Sequence, residues 1–286
     1  MICTRVSACW AQSSLSSARR RNSERQPVLH HLDLNADAAR TVLLVHGLGS
    51  NNAGWQGQTG ALRSAGWRVL VPDMPGFGDS PFAGGRWRIA DAAAELAALL
   101  HALQPAGACV AGISMGGTVA LQLALDYPQL VQRLVLVSTF ARLRARGPRQ
   151  LLYFARRYLL LHLRGLPSQA RAVAQHVFPL PAQENWRAAF YRQILQSDVR
   201  AYRSAMLALA RFDVQSRLAA VRVPTLVITG SQDATVLPEN QAGLVHGIAG
   251  ARQLILNGGH AIMVEQPQAF NAALLQFLSD SHPAPL

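Results

Sequence analysis

Between residues 108 and 126 the chain passes from a short apolar run into a helical pattern through Gly112-Ile113-Ser114-Met115-Gly116, followed at once by Gly117. Ala108–Gly112 has the length and composition of a buried strand, and Met115–Asp126 is helical and stops ahead of Pro128. A strand that turns directly into a helix needs a very tight corner. A side chain on either flank of that corner would clash, which accounts for glycine on both sides of Ser114. The corner lifts the serine hydroxyl above the strand end, at the N-terminus of the next helix, where the helix dipole favours developing negative charge. A G-x-S-x-G unit in this strand–turn–helix context makes Ser114 a candidate nucleophile.

The rest of the chain keeps the same strand–helix rhythm. Val28–Leu34 alternates weakly, as an edge strand does, and Thr41–Val45 is a continuous apolar run suited to a strand buried on both faces. Trp67–Val71, Leu134–Ser138, Thr225–Thr229 and Gln253–Leu256 are further strands. Helical patterns cover Ala53–Ala65, Ile89–Leu103, Leu237–Ile248 and Pro267–Leu278. Strands separated by helices predict an α/β fold, a mostly parallel sheet with helices on both faces. Residues 141–212 break the rhythm. They are mostly helical, punctuated by Pro167, Pro179 and Pro181, and read as a helical cap inserted into one α/β core made of residues 28–140 and 213–286. Leu151, Phe154/Ala155, Tyr158 and Leu161/His162 form one apolar stripe, expected to face inward. Residues 1–27 are rich in Arg and Ser, lack the apolar core of a secretory signal, and are expected to be a disordered tail.

A serine hydroxyl needs a base, and the base needs an orienting acid. On a fold of this kind the three follow the chain order Ser, acid, His. His260, in Asn257-Gly258-Gly259-His260-Ala261, follows a strand on a glycine-rich loop and is the best-placed of the nine histidines. Asp233, in Gly230-Ser231-Gln232-Asp233, follows the strand before it and is the candidate acid. Asp73 and Asp79 fit loop bonding better. The oxyanion of an acyl-transfer intermediate needs two backbone donors: the residue after the nucleophile, Met115, and one from the loop after an early strand. His46-Gly47-Leu48-Gly49 occupies that loop, so Leu48 N–H is the second candidate, with His46 bracing the loop.

Together these motifs resemble the α/β-hydrolase superfamily over residues 28–281. The resemblance implies an eight-stranded sheet, a helical cap over the active site and cofactor-free hydrolysis, with no cofactor or metal ligands. Serine at 114 argues against haloalkane dehalogenases and epoxide hydrolases, which use Asp there. Ile113 replaces the His, Tyr or Trp of many relatives. An acyl-enzyme at Ser114 fits a carboxylic ester with a largely apolar acyl or aromatic group. C–C bond hydrolases of ring-cleavage pathways and acyl-carrier-protein methyl ester esterases resemble the chain as well. A non-enzymatic ligand receptor on the same fold is a more distant alternative.

Charge and composition narrow the setting. All 27 basic residues are Arg, and the net charge of +12 is regional: residues 141–211 carry +11 and residues 1–27 carry +4, against −3 elsewhere. Arg149, Arg156 and Arg157 are expected near one helical face, where an acidic partner such as an acyl carrier protein, or an anionic lipid surface, would dock. No nucleic-acid-binding motif accompanies the charge. Cys3, Cys9 and Cys109 make neither a disulfide framework nor a zinc site. Apolar runs fall far short of the roughly 18 residues needed to span a bilayer. A cytoplasmic enzyme is the expectation.

Overall fold

A computed structural model describes residues 29–144 and 147–280. The tail expected over 1–27 lies outside these residues. The described residues form a seven-stranded sheet in the order β1-β3-β2-β4-β5-β6-β7. Its strands are β1 (His31–Leu34), β2 (Arg40–Val45), β3 (Trp67–Pro72), β4 (Ala108–Ile113), β5 (Val131–Val137), β6 (Thr225–Gly230) and β7 (Arg252–Leu256). Only β1 runs antiparallel to its neighbour; β3, β2, β4, β5, β6 and β7 are parallel. The count corrects the expected eight. Each apolar run read from the sequence makes one strand, and the remaining described segments are helices, turns and loops.

Ten α-helices connect and cover the sheet among the described residues. They are α1 (Gln56–Ser64), α2 (Ile89–Leu103), α3 (Met115–Asp126), α4 (Pro148–Leu163), α5 (Gly165–Val177), α6 (Glu184–Leu195), α7 (Val199–Arg211), α8 (Pro238–Gly247), α9 (Ile262–Glu265) and α10 (Pro267–Ser279). Strand alternation divides the core into two layers. Leu43 and Val45 of β2 point to one side, with Leu96, Leu100, Val119 and Leu123 of α2 and α3. Val42 and Leu44 point to the other, with Leu62 of α1 and Phe270, Leu274 and Phe277 of α10. Each large aliphatic side chain removed from water contributes about 1.5–3 kcal/mol. The central strands are therefore mostly apolar, and β4 and β6 are buried throughout. β1 is a short edge carrying His31 and Asp33, the kind of polar edge that resists pairing with another chain.

The strand order also locates a crevice. β2 has β3 on one side and β4 on the other, so the chain reverses its winding direction between β2 and β4. Open α/β sheets bind ligands outside the carboxyl ends of the strands at such a reversal. The loop after β2 and Ser114 after β4 both lie there. Helices α4 to α7 all fall between β5 and β6, where the sequence breaks its rhythm.

Candidate active site

Ser114 occupies the corner between β4 and α3 with φ 54° and ψ −114°, a conformation that non-glycine residues rarely adopt. The surroundings enforce it. A Cβ at Gly116 would overlap the Val45 carbonyl, and one at Gly112 would overlap the Gly116 carbonyl. The corner is thus wedged against β2 with no room for side chains, as the two flanking glycines implied. Met115 begins α3, so its N–H belongs to the first turn, which has no intrahelical acceptor.

The loop after β2 lies directly on the corner. A Cβ at Gly47 would stand 3.6 Å from Ser114 Cβ. His46 fixes this loop. It is 1% exposed, its Nε2 accepts from Met74 N–H at 2.9 Å, and its Nδ1 lies 2.8 Å from the Gly47 carbonyl. Because Nε2 accepts, the ring proton sits on Nδ1 and is donated to Gly47. Burial pushes the pKa of His46 below its ordinary value, so the neutral ring is the form that fits. The brace expected of His46 is present. Leu48 follows on the same loop and, with Ser114, faces the same cavity.

Asp233 and His260 meet across the β6 and β7 loops. Asp233 is 2% exposed, and its Oδ2 lies 2.9 Å from His260 Nδ1. Its Oδ1 accepts from Thr235 N–H at 2.8 Å and Val236 N–H at 2.9 Å, and Oδ2 also accepts from Gln241 Nε2 at 3.2 Å. A carboxylate held by four donors cannot turn, so the histidine proton is directed to Nδ1 and Nε2 is left as an acceptor. The His260 loop is clamped as well. Gly259 N–H faces the Glu265 carboxylate at 3.1 and 3.0 Å, and a Cβ at Gly230 would overlap the Gly259 carbonyl. Burial raises the Glu265 pKa, with Gly259 N–H opposing. Neither Gln241 nor Glu265 carries a motif that would have marked it in the sequence.

Ser114, His260 and Leu48 line one cavity of about 980 Å³. Much of the remaining wall comes from α4 to α7, among them Phe154, Val173 and Met206, with Phe178 just after α5. This size suits a small organic molecule and the lining is mostly apolar. Asp73 stands apart from it. Its carboxylate accepts from Asn52 N–H, Asn52 Nδ2 and Asp79 N–H at 2.6, 3.0 and 3.1 Å and contacts His30 Nδ1 at 2.8 Å. That is the loop-bonding role expected of it, and it leaves the His30, Asp73 and Asp79 group little capacity for a metal. Cys109 is buried in β4, and burial pushes its thiol up to about 12.

The α4 helix meets one expectation in part and departs from another. Leu151, Phe154 and Tyr158 of the expected inward stripe line the Ser114 cavity and Leu161 is fully buried, while Ala155 and His162 are exposed to solvent. Gln150 and Leu161 are the buried residues of the helix and Tyr153, Phe154 and Arg157 are half-buried, so the inward face includes Phe154 and Leu161 of the stripe and turns from it toward Tyr153 and Arg157. For the same reason Arg157 does not share a face with Arg149 and Arg156. Those two, seven residues apart, point to solvent, while Arg157 turns into the cavity. Arg146 lies outside the described residues.

Residues 40–267 match the model of the alpha/beta hydrolase fold family, and the chain belongs to that family. A protein of Variovorax paradoxus, provisionally named carbamate hydrolase RutD, is 35% identical over 261 residues, covering 87% of this chain and 96% of its own. The 3-oxoadipate enol-lactonase 2 of Acinetobacter baylyi is 30% identical, covering 82% of this chain and 86% of its own. The crystal structure of the enol-lactonase from Burkholderia xenovorans LB400 has a TM-score of 0.80 at 28% identity, over 88% of this chain and 96% of that one.

Proposed function

We propose that this α/β hydrolase is a cofactor-free serine hydrolase that cleaves a carboxylic ester, open-chain or lactone, through an acyl-enzyme. The observation that carries the reading is the Asp233–His260 pair at 2.9 Å, whose histidine lines the cavity that also holds Ser114 at its strained corner. In this reading His260 Nε2 takes the Ser114 proton as Oγ attacks the substrate carbonyl carbon. The carbonyl π pair moves to oxygen, and the oxyanion is met by the Leu48 and Met115 N–H groups. Collapse expels the alcohol oxygen, which receives the proton from His260. A water then attacks the acyl-enzyme by the same route, its proton passing through His260 back to Ser114. Asp233 keeps the histidine in the productive tautomer and stabilises the imidazolium. Each oxyanion donor is worth about 3–4 kcal/mol in transition-state stabilisation.

The apolar lining supports an apolar or aromatic acyl group. The lactone-cleaving names of two relatives support the ester class. The test is steady-state and burst kinetics with p-nitrophenyl esters of rising chain length, for wild type and Ser114→Ala. Turnover that falls at least about a thousandfold in the variant upholds the mechanism; turnover that survives the substitution refutes it.

A further inference from the structure

Arg157 is the one permanently charged side chain among the described residues lining the Ser114 cavity, and no Asp or Glu lines it. Its guanidinium is met by neutral groups. Nε donates to the Gln169 side-chain oxygen at 3.0 Å, in the amide orientation that also lets Gln169 donate to the Arg157 carbonyl at 2.9 Å. Nη2 faces the Tyr202 hydroxyl at 3.3 Å, and the group lies 5.5 Å from the centre of the Tyr153 ring. None of the ion pairs among the described residues includes it.

This arrangement is unusual energetically. Charges drawn out of water are normally paired, because desolvation of a lone ion is costly, and Arg157 is half-buried on the cavity wall. Arg142, Arg187, Arg200, Arg217 and Arg252 each have a carboxylate within reach. Arg157 has a collar of neutral groups that hold the guanidinium in place without neutralising it. The collar occupies only part of a five-donor fork, and such a fork fits a carboxylate bidentately. A counter-charge that the protein does not supply is one that a ligand can bring.

We infer that Arg157 anchors a carboxylate on the substrate, so that the preferred ester or lactone carries an anionic group separated from its scissile carbonyl by an apolar segment. The inference rests on the ester reading above and names the substrate class for the same site. The mostly apolar cavity that both Arg157 and Ser114 line accommodates the spacer, and the anchored end fixes which carbonyl reaches the serine.

The experiment compares two p-nitrophenyl esters that share an acyl chain: the hemiester of a linear dicarboxylic acid, and the same compound with its free carboxylate capped as a methyl ester. Wild type should favour the anionic ester by at least about tenfold in kcat/KM, the scale of one charged hydrogen-bonding contact. In Arg157→Gln that ratio should fall to near one, and in Arg157→Lys it should be partly retained. Equal kcat/KM for the two esters in wild type overturns the inference. So does an Arg157→Gln variant that loses activity on both esters equally with the ratio intact, since that marks a purely structural role. A second arm needs no turnover. Calorimetry with the dicarboxylate monoamide and Ser114→Ala should show binding that is lost when Arg157→Gln is added. If neither ester is hydrolysed, binding in this arm upholds the anchor while the ester reading fails, and its absence overturns the anchor.

Discussion

Gly116 faces Val45 across the join between the serine corner and β2, with the Val45 carbonyl standing where a Cβ on Gly116 would go. The obstacle is backbone within the central sheet, which cannot rotate away as a flexible side chain could. Gly116→Ala must therefore displace either α3 or β2. It should cost about 3 kcal/mol or more, at the upper end of single-residue effects. Urea unfolding monitored by circular dichroism measures it, and an unchanged midpoint would show that the corner can relax.

Ser114 carries a cost of its own. A non-glycine residue held at φ 54° stores about 1–3 kcal/mol. Glycine adopts this conformation freely but loses about 0.5–1 kcal/mol more backbone entropy on folding. The difference favours Ser114→Gly by about 1 kcal/mol. The variant should melt roughly 2–4 °C higher while losing turnover. A melting point at or below wild type would mean that the corner is not strained.

Asp233→Asn separates charge from shape. If the new amide oxygen keeps the Thr235 and Val236 N–H groups, its NH₂ faces His260 Nδ1–H and Gln241 Nε2, donor against donor. The histidine is then driven to place its proton on Nε2, the atom that should accept from Ser114. Turnover should drop by about 10³–10⁴ with KM little changed. A drop below tenfold would remove Asp233 from the mechanism.

Much of this site was legible in the sequence because its parts are backbone devices with short signatures. The glycines around Ser114, Gly47 beside the early strand, and the Gly-Gly before His260 each mark a place where chains touch. The sheet was legible because strands buried on both faces leave continuous apolar runs. What escaped was the turn of Arg157 away from Arg149 and Arg156 on α4. A helix with exposed Leu151, Leu152, Leu159 and Leu163 has apolar residues around most of its circumference. Periodicity then does not single out one face, and the inward turn of Arg157 is fixed by Gln169 on the next helix and Tyr202 on α7. Gln241 and Glu265 were invisible for a similar reason, since their partners are set by loop closure rather than by spacing.

His46 ties the loop after β2 to pH. Burial, its largest influence, lowers its pKa from 6.5, while the Gly47 carbonyl and Asp73 act in the opposite direction. The folded protein therefore favours the neutral ring, whereas the unfolded chain takes up a proton as pH falls through 6.5. The stability this group contributes is present in full above the unfolded pKa and is lost as pH falls through the folded one. Over that window the loss approaches about 1.4 kcal/mol per pH unit for one proton. His176 on α5 is also lowered, chiefly by burial, and adds a loss of the same sign. Urea unfolding at pH 7.5, 6.5, 5.5 and 5 (values chosen to bracket the ordinary histidine pKa of about 6.5) should show stability declining toward the acid end. In His46→Gln, whose amide oxygen can still accept from Met74 N–H, the slope should be shallower even if the variant is less stable overall. A slope as steep as wild type would show that His46 protonates as readily in the folded protein as in the unfolded chain.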